Sequence, residues 1–197
     1  MNRSLVALVV VLGALSLGAS SASAEPLQIR KLAEKTTDAL PPGDLYWRVE
    51  SFDTLGDARA AAGPWSLAAQ SRDGRAWLFT LGSEGAAGRG RKMAEVGPVA
   101  RFQASEYLLR INEATGTPGA TTSVHSHPGS EAFYVLEGEQ SIRGPHGVLK
   151  VRAGEPSTGN GADVPMQVTS TGSTSLHALV MFVVDAGKPF SKPAKMP

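Results

Sequence analysis

From Phe102 to Val184 the chain never runs far without a break. Short apolar or alternating runs follow one another: Glu106 to Asn112, Thr122 to His127, Glu131 to Leu136, Gln140 to Arg143, Val148 to Arg152, Val164 to Ser170 and Ser175 to Val184. Glycine-rich breaks separate them, and Gly144-Pro145-His146-Gly147 is a tight reversal between two of them. Strands of this length, closely spaced and punctuated by turn residues, restrict the fold to an antiparallel sandwich or barrel. The class predicted is all-β.

Ahead of that region the pattern is mixed. Ile29, Leu32, Thr36 and Leu40 recur at helical spacing and predict a short amphipathic helix, closed by Pro41-Pro42-Gly43. Leu45 to Phe52 reads as a strand. Asp53 or Thr54 can cap a short helix running through Ala62, which Gly63-Pro64 stops. Trp65 to Gln70 and Arg75 to Leu81 read as a hairpin across Ser71-Arg72-Asp73-Gly74. Gly82 to Gly97 is glycine-rich and basic; with no helix start or Gly-Lys-Ser/Thr behind it, it reads as a surface connection rather than a phosphate cradle. The last segment, AGKPFSKPAKMP, carries three prolines and three lysines and reads as a tail over the surface.

The first 24 residues are of a different kind. Arg3 precedes an apolar run from Leu5 to Leu17, and Ala22-Ser23-Ala24 supplies a small-residue cleavage pattern. This is the pattern of a cleavable signal peptide, with cleavage expected after Ala24, and it predicts a secreted or periplasmic protein with no membrane span afterwards. The chain then divides into 25–100, flanking helices and strands packed on a barrel, 101–187, the barrel, and 188–197, the tail. The 197 residues contain no cysteine, so an exported chain must be held by its core alone. Thiolate ligands and cysteine nucleophiles are excluded with it. A net charge of +1 and thinly spread aromatics give no reason to expect nucleic acid.

Three metal-type ligands stand within seven residues: His125, His127 and Glu131. Histidines at i and i+2 on an extended strand share a face, because side chains alternate with period two. Pro128-Gly129 breaks that strand, and Glu131 then shares a face with Phe133 and Val135, which puts a carboxylate above an apolar floor. Two imidazoles with a carboxylate are a donor set for a divalent transition metal. No Gly-x-Ser-x-Gly elbow or Walker-type loop competes with this reading.

The same residues carry a resemblance. Gly119, His125, His127, Glu131 and Gly138 fill every fixed position of the first cupin motif, G-x5-H-x-H-x3-E-x6-G. The chain thus resembles the cupin superfamily over about Tyr107 to Val184. The resemblance implies a cupin-type jelly-roll β-barrel, a metal held by the two histidines and the glutamate, and a homodimer. The second cupin motif is degenerate: Gly154-Glu155 and GADVPM resemble it, but Met166 stands where its histidine belongs.

With three ligands left, open positions suit dioxygenase- or isomerase-like chemistry on a small organic molecule, or a non-catalytic metal- or small-molecule-binding role. Iron, manganese, zinc, copper and nickel are not distinguished. Met166 is a fourth ligand through its thioether or an apolar wall; Gln167 or His177 takes its place if the register differs by one. Phe133, Val135 and Tyr107 are candidate pocket walls, and Arg110 is a candidate anion contact. His146 belongs to an exposed turn.

Overall fold

The computed structural model describes residues 24–197, so the signal-peptide reading lies outside the described residues. Strands dominate, and all the sheets are antiparallel. In chain order they are β1 (Gln28–Thr37), β2 (Leu45–Phe52), β3 (Ser66–Gln70), β4 (Ala76–Gly82), β5 (Arg91–Val99), β6 (Tyr107–Gly116) and β7 (His125–Ser126), followed by β8 (Gly129–Glu137), β9 (Glu139–Gly144), β10 (Gly147–Arg152), β11 (Pro156–Thr158), β12 (Gln167–Ser170), β13 (Leu176–Asp185) and β14 (Lys192–Pro193). The one helix among the described residues, α1 (Leu55–Ala61), is capped by Thr54, whose side chain accepts from the Asp57 N–H. No helix among the described residues is long and apolar enough to cross a membrane.

The central layer is a five-stranded sheet in the order β1-β6-β13-β8-β11. Alternation along β13 shows how it is used. Leu176, Ala178, Val180, Phe182 and Val184 point into one core together with Phe133, Val135, Ile142, Met166 and Val168. Leu179, Met181 and Val183 point the other way, into a second core with Trp47, Trp77, Phe79, Leu109 and Tyr134. The first core is the interior of a jelly-roll barrel closed by the three-stranded sheet β10-β9-β12; the second lies under the four-stranded sheet β3-β4-β2-β5. A strand buried on both faces reads as continuous apolar sequence, which is what LHALVMFVVD is.

Two predicted elements are corrected. Residues 28–37 form not a helix but the edge strand β1, paired with β6. A bulge between Lys31 and Ala33 breaks the period-two alternation, so the apolar positions imitate helical spacing. Its charges, exposed at Arg30, Lys31 and Glu34 and half-buried at Lys35, suit an edge. The basic end of the 82–97 connection is the strand β5, whose Ala94 and Val96 are buried while Arg91 and Lys92 face out. The alternation was hidden by a register shift against β2 at Val49 and Glu50.

Candidate metal centre and ligand cavity

The strand β7 is only two residues long, and it is set by its neighbours rather than by a ladder of its own. Backbone bonds between His125 and Met166 run in both directions, from His125 N to Met166 O (3.0 Å) and from Met166 N to His125 O (2.8 Å). On the other side β14 pairs with β7, Lys192 opposite Ser126 and Pro193 opposite His125. The predicted surface tail is therefore part of the site. Phe190 anchors it: the half-buried ring packs on Phe182 (ring centroids 4.9 Å) and His127 (4.8 Å), with the Arg110 guanidinium carbon 3.9 Å from its centroid.

Both imidazoles are fixed by the backbone. His127 Nδ1–H donates to the Phe190 carbonyl at 2.7 Å, and His125 Nδ1–H donates to the Ser123 carbonyl at 2.8 Å. A carbonyl only accepts, so each ring carries its hydrogen on Nδ1 and keeps a lone pair on Nε2. That is the tautomer a metal ligand needs, held by the kind of outer contact that orients ligating histidines. Burial lowers the His127 pKa to about 4, further depressed by His125 and Arg110 and only partly opposed by the Phe190 carbonyl, so this imidazole is neutral near pH 7.

Glu131, the third residue of β8, points into the barrel and is buried. Its one polar contact is a long hydrogen bond of 3.4 Å from the Asn160 N–H to Oε1. Burial raises its pKa to about 8, so near neutrality it holds a proton. The backbone at Gly159 lies flat against it: a Cβ there would stand 2.3 Å from Glu131 Cγ and 2.7 Å from Phe133 Cε2. Glycine at this position lets the segment after β11 seal the carboxyl from water.

His125, His127, Glu131, Phe133 and Met166 line one cavity of about 290 Å³, with Val168, Val180, Phe182 and Phe190 completing most of its apolar wall. This volume is at the low end of ligand pockets. The donor set fits a divalent metal: two free Nε2 lone pairs and a buried carboxyl with no cation beside it. As the side chains stand, no group of three or more His, Cys, Asp or Glu side chains among the described residues is placed to hold an ion.

The other predicted residues divide. Met166 faces the cavity, whereas Gln167 turns away and donates Nε2–H to the Thr122 carbonyl at 3.0 Å. His177 is on the opposite face of β13, where Nε2–H donates to Glu113 Oε1 at 2.7 Å, and is thus no fourth ligand. Tyr107 belongs to the core under the four-stranded sheet, its hydroxyl bonded to Phe102 and Ala104, and does not line the cavity. Val135 packs in the barrel core beyond the cavity lining. Arg110 is paired with Glu34 at 2.5 Å. His146 is exposed in its turn. Phe182, Phe190, Asn112 and Gln140 were not singled out in the sequence, because nothing local marks which inward residue of a barrel strand reaches a cavity.

No protein-family model matches the chain, and no curated protein is similar enough in sequence to be matched. Among solved structures it is similar to a cupin-like protein of Thermotoga maritima (16% identity, TM-score 0.40), over 45% of this chain and 65% of that one. It is also similar to a polyketide cyclase from Streptomyces resistomycificus (20%, TM-score 0.38; 45% and 62%) and to an oxalate oxidase solved with the substrate analogue glycolate (22%, TM-score 0.37; 43% and 45%). The matched part spans less than two thirds of each of these proteins. The five fixed positions that resemble the first cupin motif are seated on and around inward-facing strands of an antiparallel, all-β jelly-roll barrel.

Proposed function

We propose that this chain binds a divalent transition metal through His125, His127 and Glu131 and uses the adjoining cavity to hold a small organic molecule. One observation carries the reading. Two imidazoles pinned at Nδ1 by backbone carbonyls leave both Nε2 atoms free at a cavity that also contains a buried carboxyl lacking a cation. When bound, a metal with only three protein ligands has positions left to polarise an oxygen-bearing ligand or to take up dioxygen. The residues of the chain prepare that site in three ways. The Phe190 and Ser123 carbonyls orient the rings. Gly159 and Phe133 exclude water from Glu131, which must give up its proton to ligate. Met166 fills the place of a fourth ligand with a polarisable thioether.

Dioxygenase- or isomerase-like chemistry is the catalytic form of this proposal. A binding or sensing role is the second form, and a specific observation favours it: apart from the three candidate ligands, no titratable side chain among the described residues lines the cavity to act as general acid or base. The deciding experiment purifies the chain from Glu25 onward without a histidine tag and measures bound metal by mass spectrometry, beside a His125→Ala/His127→Ala variant. Stoichiometric metal in the first and none in the second is expected; equal metal in both refutes the site. Oxygen consumption and turnover of diketone, thiol and sugar substrates then separate enzyme from binder. Export is part of the proposal. Hydrogen bonds to Thr121 tie in the chain from Glu25 onward, the residue after the expected cleavage. An N-terminus at Glu25 in the exported protein is the test. A homodimer is proposed on the resemblance alone and is checked by light scattering.

A further inference from the structure

Beyond the histidines, the cavity contains polar groups with nothing to bond. Gln140 is 0% exposed and lines the cavity, yet neither its Oε1 nor its Nε2 has a partner. Asn112, 6% exposed, lines the same cavity with an unpartnered Oδ1. Buried amide atoms are nearly always hydrogen-bonded, so three unbonded atoms at one cavity need an explanation.

Their places in the barrel follow from the pairing. In the central sheet Arg110, Phe182 and Glu131 stand side by side; the next inward row is Asn112, Val180 and Phe133. Two strand residues separate the rows, roughly 7 Å. Gln140 lies further in the same direction, since β8 runs from Glu131 through Phe133 to Glu137 before Gly138 turns it into β9. The cavity therefore has a histidine–carboxyl end, an apolar waist of Phe133, Val168 and Val180, and a neutral polar end.

Among the described residues no charged side chain lines that far end, so a carboxylate or ammonium would be buried there unpaired. A primary carboxamide matches what is free. Its C=O accepts from Gln140 Nε2–H, one N–H donates to Gln140 Oε1, and its second N–H donates to Asn112 Oδ1. Ser170, opposite Gln140 on β12, has a free Oγ as well. Pairing with that hydroxyl would occupy one amide atom of Gln140 and leave the other, with Asn112 Oδ1, for a ligand.

We infer that Gln140 and Asn112 form a carboxamide-recognising subsite, so that the ligand of this cavity is a compact apolar molecule with a neutral amide at the end away from the histidines. The inference rests on the ligand-cavity part of the proposed function, but not on the metal. Three isosteric probes separate the possibilities: benzamide, acetophenone, which lacks the N–H donors, and benzoate, which is charged. Titration calorimetry of the untagged mature chain is expected to show benzamide binding on the order of tenfold more tightly than acetophenone, because a lost donor leaves a buried acceptor unpaired. Benzoate binds weakest. The same series on the His125→Ala/His127→Ala variant keeps the amide preference, which distinguishes failure of the metal reading from failure of this one. Gln140→Met removes two unbonded polar atoms at similar volume; it should abolish the preference, leave metal content unchanged and melt no lower than wild type. Asn112→Leu should reduce the preference in part. A wild-type chain with no preference for benzamide, a Gln140→Met variant that keeps it, or one that melts well below wild type overturns the assignment.

Discussion

Deleting residues 189–197 is the most informative perturbation of the site, because it removes an orienting group without touching a candidate ligand. The deletion takes away the Phe190 carbonyl that accepts the His127 Nδ1–H at 2.7 Å, and the β14–β7 pairing that steadies His125. It also takes the Lys192–Asp163 ion pair, exposed enough to be discounted, and the ring contacts of Phe190 with His127, Phe182 and Arg110. Two aromatic contacts at about 0.5–1.5 kcal/mol each and a cation–π contact at about 0.5–1 give a stability loss of roughly 1.5–4 kcal/mol. The effect on metal is separate. Loss of an outer-shell contact to a ligating histidine costs about 10–100-fold in affinity, or ~1.4–2.7 kcal/mol. Zinc affinity measured by competition with a chromophoric chelator, with circular dichroism confirming a folded barrel, reads this directly. Phe190→Ala supplies the control: it keeps the carbonyl, so it should share the stability loss while affinity falls by less than tenfold. A folded, truncated chain that binds zinc as tightly as the full one would refute the claim that the tail carbonyl sets the His127 tautomer.

Three further outcomes are expected. Met166→His, with its backbone already paired to His125, completes a three-histidine, one-glutamate set and should raise zinc affinity at least ~10-fold in the same competition assay. Gly159→Ala puts a methyl into Glu131 and Phe133 and should lower the melting free energy by about 1–3 kcal/mol in urea unfolding, with loss of metal binding. Below neutrality, Glu113 and Asp73 are two of the carboxylates that contribute to acid stability. Burial works to raise both pKa values, but the Arg72 N–H, Arg30 and His177 hold Glu113 below 4.5, and Arg75 and Ser71 hold Asp73 at about 2 against 3.8. Folded pKa values below the unfolded ones mean that this stability is present above about pH 4.5 and is lost as pH falls through the folded values. Urea midpoints should therefore fall steadily below pH 4.5, and Glu113→Gln should flatten that slope.

The barrel strands were legible because each alternates or runs apolar between turn residues, and the common place of His125, His127 and Glu131 at one cavity because their spacing is that of inward-facing strand positions. The rest was hidden by long-range effects. A single bulge at Lys31/Ala33 disguised β1 as a helix. The tail read as surface because its prolines and lysines dominate its composition, while the order comes from one ring, Phe190, and one backbone carbonyl. Tyr107 was assigned to the pocket and lies in the opposite core, since the sequence of β6 does not say which of its two buried faces is the barrel. Gln140 looks like any strand glutamine until burial and pairing are known.

Two buried glutamates support the proposal that the barrel interior takes a ligand. Glu113 and Glu131 lie in the same central sheet with comparably little exposure, on opposite faces. Glu113 accepts from Arg30, from the Arg72 N–H and from His177, and its pKa is lowered. Glu131 has one long contact, and its pKa is raised to about 8. A fold that can saturate a buried carboxylate on one face has no physical need to strand another 20 or so residues later on the other. Left unpaired, Glu131 destabilises the barrel, as do the free amide atoms of Gln140 and Asn112. These groups share one cavity with two imidazoles in the ligating tautomer. Local violations of this kind concentrate where a protein binds something. A cation beside Glu131 and a hydrogen-bonding ligand beside Gln140 would remove the whole set of violations at once, and no rearrangement of the apolar wall would be needed.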